Sequence, residues 1–91
     1  MLYAWMGFLK PNVDIPQSVQ EQTNDFFGQP FIKIRSAGAL RDAQGNRSGM
    51  MVIFEDENRK AAEEFVADSP YLRAGLYEDH RLYEYANEVG R

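Results

Sequence analysis

The sequence predicts an α+β domain: a four-stranded antiparallel sheet with two helices on one face. Three observations predict it. Apolar and polar residues alternate with period two over Phe31–Ala37 and again over Leu82–Tyr85, the mark of half-buried strands. A polar stretch punctuated by glycine, Ala43–Gly49, joins two strand-like segments as a hairpin loop. Two further stretches carry helix start and stop signals. The resulting order is strand, helix, strand, strand, helix, strand, the split βαβ or ferredoxin-like arrangement βαββαβ.

Taken in order, Leu2–Leu9 is rich in aromatic residues and almost wholly apolar, and it ends at Lys10-Pro11-Asn12. It reads as a strand, and its continuous apolarity places it centrally, covered on both faces. Asp14-Ile15-Pro16 offers a helix start, with Ser18 as another possible cap. The first helix, over Val19–Phe27, has apolar residues only at Val19, Phe26 and Phe27, and Gly28-Gln29-Pro30 stops it. Phe31–Ala37 is the second strand. Gly38–Asp42 leads into the hairpin, and Met50–Glu55 returns as the third strand. Asp56-Glu57-Asn58 caps the best-patterned helix, Arg59–Ala67, whose Ala61, Ala62, Phe65 and Val66 fall at helical spacing. A turn over Asp68–Gly75 follows. Leu82–Tyr85 is the last strand, and residues 87–91 read as a frayed tail.

Ninety-one residues make one domain, and 44% hydrophobic content suffices for a packed core. Formal net charge is −4, and the ten basic residues are scattered without a run or stripe, which argues against nucleic-acid binding. The absence of cysteine excludes disulfides, thiolate metal sites and a cysteine nucleophile. No segment approaches the ~20 apolar residues that span a bilayer, and the apolar start, Met1–Phe8, lacks the basic leader of a secretory signal. A soluble cytoplasmic protein without membrane contact is therefore expected. Helices on one side leave the other sheet face open. Aromatic residues are 13% of the chain, too many for that face to be left in water. Two such sheets packed face to face would form a dimeric α+β barrel, so a homodimer is expected.

Met1-Leu2-Tyr3-Ala4, Ala37-Gly38-Ala39-Leu40-Arg41-Asp42, the Gly45–Gly49 hairpin, Met51-Val52-Ile53-Phe54-Glu55, and above all Ala61–Ala67 running into Ser69-Pro70-Tyr71-Leu72-Arg73-Ala74-Gly75-Leu76-Tyr77-Glu78 form an ordered series of segments. Together they resemble the YCII-related family of small dimeric barrel domains. The resemblance covers nearly the whole chain. It implies the barrel fold and an acid–base dyad formed by a histidine on the first helix and an aspartate just before Pro-Tyr. This chain departs from that pattern at both places. The histidine's position falls near Thr23, and the aspartate's position is Ser69.

The remaining candidates follow from residue type. Asp68 could replace the missing aspartate if the turn rotates by one position; an aspartate there also serves as an Asx-type hydrogen-bonding turn residue. His80 is the only histidine, and the only side chain whose ordinary pKa lies near neutrality. It follows Glu78-Asp79 and reads equally as an exposed loop residue. Tyr71 is expected to pack under the helix while its hydroxyl finds a partner. Trp5 belongs to the sheet's aromatic complement and could line a cavity. Arg35 could hold an anionic ligand. The expected function is binding of a small organic molecule in an apolar cavity, with Trp5, Thr23, Arg35, Ser69 and Tyr71 as ligand-binding residues. The dyad is missing, no cofactor is expected, and a lone histidine does not make a metal site. One alternative is a lyase or isomerase with Asp68 or His80 as the catalytic acid–base. Another is a non-catalytic interaction or assembly module.

Overall fold

The computed structural model describes residues 1–28 and 33–90. Strand β1 (Leu2–Leu9) takes the central position that its apolarity predicts, between β3 (Arg47–Glu55) and β4 (Tyr77–Glu84), with β2 (Lys33–Arg41) on the outer edge of β3. The order β2-β3-β1-β4 is antiparallel throughout. Helices α1 (Gln17–Phe27) and α2 (Arg59–Ala67) and the short helical turn α3 (Pro70–Arg73) complete the chain. The expected architecture is the observed one.

Register sorts the sheet residues into two faces. Tyr3, Trp5 and Gly7 of β1 lie opposite Phe54, Val52 and Met50 of β3, and the side chains of this set enter the core beneath the helices. Val19 and Thr23 of α1, Ala62 and Val66 of α2, and Tyr71 of α3 are the buried helical residues that meet them. Leu2, Ala4, Met6 and Phe8 alternate onto the other face with Met51 and Ile53 of β3 and Tyr83 of β4. No described element covers that side, and Phe8 and Tyr83 stand exposed on it. The continuous apolarity of β1 thus reflects a helix-covered face and a second apolar face that the single chain leaves open.

Several boundaries differ from the sequence reading, for identifiable reasons. Strand β4 starts at Tyr77 rather than Leu82, because Glu78, Asp79, His80 and Arg81 are polar on both faces and show no alternation. A solvent-facing edge strand tolerates such residues. Strand β3 begins at Arg47, so the hairpin is shorter than expected. Its turn is held by the Asp42 carboxylate, which accepts from the backbone N–H groups of Gln44 and Asn46, with Gly45 at φ 85°. Helix α1 starts at Gln17 after Pro16 with no side-chain cap, so neither Asp14 nor Ser18 caps it. Helix α2 matches its expected bounds, with the Asn58 side chain accepting from Ala61 N–H. Phe31 and Ile32, expected to open the second strand, lie outside the described residues.

Three bulges interrupt the ladders, one of them beside the hairpin, where Leu40 faces Gly49 but Arg41 faces Arg47, leaving Ser48 extra. On β2, Ile34 faces Phe54 and Ser36 faces Ile53, leaving Arg35 as the extra residue. On β4, Phe8 faces Asp79 but Leu9 faces Tyr77, leaving Glu78 extra. Side-chain direction alternates along a strand, so one added residue moves everything beyond it to the other face. Tyr77 is therefore turned from the open face to the helix side, where it packs on Gly7.

Candidate functional site

The core holds two aromatic groups of different chemistry. One is hydrocarbon-rich: Phe54 and Phe65 have centroids 4.4 Å apart, Phe65 and Phe26 5.2 Å, Phe26 and Phe27 5.6 Å, and Tyr3 joins through Phe54. The second is a row of rings edged by polar atoms. Trp5 meets Tyr77 edge to face at 5.7 Å, and Tyr77 meets Tyr71 at 5.8 Å. The row ends at His80 on one side and reaches Gln20 and Arg47 on the other.

Local sequence explains how each ring arrives there. Pro70 opens α3 at its first turn, where its missing N–H goes unused, and this aims Tyr71 into the core. The Tyr71 hydroxyl donates to Gln20 Oε1 at 2.7 Å, tying α3 to α1 and giving the hydroxyl its expected partner. The Glu78 bulge delivers Tyr77, and Gly7 leaves room for it. A Cβ at position 7 would collide with the Tyr77 ring. Trp5 comes from the central strand. Its indole Nε1 donates to His80 Nδ1 at 3.2 Å, with the rings T-shaped at 6.1 Å. An imidazole accepting at Nδ1 carries its hydrogen on Nε2 when neutral, so His80 presents a donor rather than an acceptor beyond that contact.

Tyr77 has an unusual electrostatic position. Its hydroxyl is buried, and among the described residues it is the one buried side-chain polar atom without a hydrogen-bond partner. Burial pushes it far above its ordinary pKa, the neighbouring Tyr71 adds to the rise, and the Arg47 guanidinium opposes it. Tyr77 is accordingly a neutral O–H donor. The Arg47 guanidinium carbon lies 5.8 Å from the centre of the Tyr71 ring.

The site residues expected from sequence divide into three groups. Trp5, Tyr71 and His80 belong to the polar-edged row. Thr23 and Ser69, the positions where the family resemblance would place histidine and aspartate, are the buried polar residues among those described, each 3% exposed. They sit on α1 and immediately before α3, which pack together. The Thr23 hydroxyl donates to Val19 O at 2.8 Å, satisfying itself within its own helix. Asp68 and Arg35 stand apart from the row. Asp68 caps α2 at the surface, beside a shallow depression it shares with Gln22, Pro70, Arg73 and Ala74. Arg35 is exposed and paired with Glu55. Among the described residues no hydrogen bond or ion pair joins Asp68 to His80.

Sequence reasoning did not single out Tyr77, Gln20 or Arg47. For Tyr77 one signal existed: an isolated glycine within an apolar strand marks a place where something approaches the backbone closely, and Gly7 is such a glycine. Gln20 and Arg47 left no comparable trace.

No protein-family model matches this chain, and no curated protein matches it. Solved structures of the same architecture do. The 5-chloro-2-hydroxyhydroquinone dehydrochlorinase TftG from Burkholderia phenoliruptrix, solved in complex with 2,5-dihydroxybenzoquinone, is similar at a TM-score of 0.79. It shares 19% identity over 97% of this chain and 96% of that one. The hypothetical Arabidopsis thaliana protein At3g17210, solved in solution, is similar at a TM-score of 0.51 and 12% identity over 99% of this chain and 89% of that one. Together with the sheet order and the helices on one face, these likenesses show that the chain has the same α+β fold, a four-stranded antiparallel sheet with helices packed on one face.

Proposed function

We propose that this chain is a YCII-like protein that pairs with a second copy through its open sheet face and binds a small, planar organic molecule against the row Trp5–Tyr77–Tyr71. The observation that carries the reading is the contrast between the two aromatic groups. Both belong to one buried core. The second combines its buried rings with hydrogen-bonding atoms at both ends, the make-up of small-molecule sites, which are mostly apolar with a few placed polar groups. The dehydrochlorinase of like fold, bound to a planar hydroxylated quinone, supports the size class.

Binding takes precedence over acid–base catalysis in this proposal. Thr23 and Ser69 bring hydroxyls that do not exchange protons near neutral pH, the His80 Nδ1 is committed to Trp5, and Asp68 lies elsewhere. For the open face, the exposed Phe8 and Tyr83, with Met6, Met51 and Ile53 around them, form an apolar surface of the kind that marks an interaction site. In this fold the occupant proposed is the same face of a second copy.

The chain holds a single tryptophan and a single histidine, and both lie on the row. NMR titration with 2,5-dihydroxybenzoquinone should shift the lone indole N–H and the imidazole resonances saturably. No saturable shift at either group up to roughly 1 mM, the weak end of specific binding, would overturn the reading.

A further inference from the structure

We propose that Tyr77 and Arg47 form an anion subsite within that ligand site, recognising the charged oxygen of a planar organic acid, either a carboxylate or an ionised phenol. The inference rests on the binding reading above and specifies the ligand's chemistry.

It begins with the unpartnered Tyr77 hydroxyl. Buried polar groups in folded chains are almost always hydrogen-bonded, so an exception calls for an explanation. The described side chains around it offer none. The Trp5 N–H is a donor already used by His80, the Tyr71 hydroxyl donates to Gln20 and its oxygen makes no bond to Tyr77, and Arg47 is donor only. What is missing is an acceptor, supplied from outside the chain.

Charge then narrows the acceptor. Arg47 is exposed and makes no ion pair among the described residues, and its guanidinium lies over Tyr71, the ring next to Tyr77. Nearby acidic side chains do not neutralise it, in a chain whose net charge is −4. A neutral phenol O–H beside an unpaired guanidinium is complementary to an anionic oxygen, because hydrogen bonds to a charged acceptor are roughly twice as strong as neutral ones. The adjoining ring row favours a flat, unsaturated carrier for that oxygen, placed edge to face as Trp5 and Tyr77 already are. Carboxylates and ionised phenols share this chemistry.

The test pairs each anion with a neutral analogue by isothermal titration calorimetry: benzoate with benzamide, and 2,5-dihydroxybenzoquinone with its dimethyl ether. The wild-type chain should bind at least one anion about ten- to a hundred-fold more tightly than its neutral partner. Arg47→Gln should bring the anion's affinity down to that of the neutral compound, and Arg47→Lys should restore part of the difference. Tyr77→Phe should weaken the anion about ten-fold. Because Arg47 is exposed, its variants remain informative even if the Tyr77 variant folds poorly. A preference in the benzoate pair alone assigns a carboxylate, and one in the quinone pair alone an ionised phenol. Equal binding of anion and neutral compound by the wild type overturns the subsite while leaving the ring site standing. If none of the four compounds binds, the ring site falls and the subsite with it.

Discussion

Replacing Tyr77 by phenylalanine should make the ligand-free protein more stable. The residue is 8% exposed, and its hydroxyl is buried without a partner. Holding such a group away from water costs about 1–3 kcal/mol. Phenylalanine keeps the ring on Gly7 and its contacts with Trp5 and Tyr71 while removing the oxygen. The small gap left behind offsets part of the gain, so the net effect is a stabilisation of about 1 kcal/mol, or a rise in Tm of about 4–8 °C for a domain of this size. Thermal and urea unfolding at one fixed protein concentration measure it, since pairing would make apparent stability concentration-dependent. The same substitution changes the alkaline limb. The folded-state pKa of Tyr77 lies above its ordinary 10.0, so the folded chain keeps a proton that the unfolded chain releases. The stability this group contributes is intact below pH 10.0 and drains as pH rises towards the folded value, by about 1.4 kcal/mol per pH unit. In Tyr77→Phe that limb should be shallower by one proton. A fall in Tm of several degrees would refute the reasoning, because it would mean that the hydroxyl has a partner in the folded state.

Gly7→Ala would drive a methyl group against the Tyr77 ring and force the ring off its seat, lowering stability by about 1–3 kcal/mol in urea unfolding. Wild-type stability together with an unchanged near-ultraviolet spectrum of Trp5 would show that the ring does not sit there. Met51→Asp puts a charge in the middle of the open apolar face without touching the helix-covered core. Sedimentation equilibrium should show a dimer for the wild type and a monomer for the variant, and a wild-type chain that stays monomeric at high concentration would remove the proposed pairing.

Fold and site were legible to different degrees. The α2 segment could be read residue by residue, because its cap, its apolar spacing and its stop agree; Asn58 bonds where a cap should. The β1 segment was equally plain, since two apolar faces leave no competing pattern. Strand β4 was hidden from Tyr77 to Arg81, because its pairing uses backbone groups that carry no side-chain signature. Trp5, Tyr71 and His80 could be named from their types. That they share a row with Tyr77 depends on a bulge at Glu78, and nothing in a run of Tyr-Glu-Asp-His-Arg announces a bulge. The hydroxyl residues Thr23 and Ser69 stood out only against a family pattern, while their burial depends on how α1 and α3 pack.

The extra residue at Glu78 decouples the face of the Tyr77 ring from plain counting along β4. If Glu78 paired with Leu9 instead of bulging out, Tyr77 would move one place along the strand and its ring would turn to the opposite side of the sheet; if Glu78 were deleted, Tyr77 would stay opposite Leu9 on the helix side. Ring row and outer face are therefore two registers of one strand, separated by a slip of a single residue and not by a change of fold.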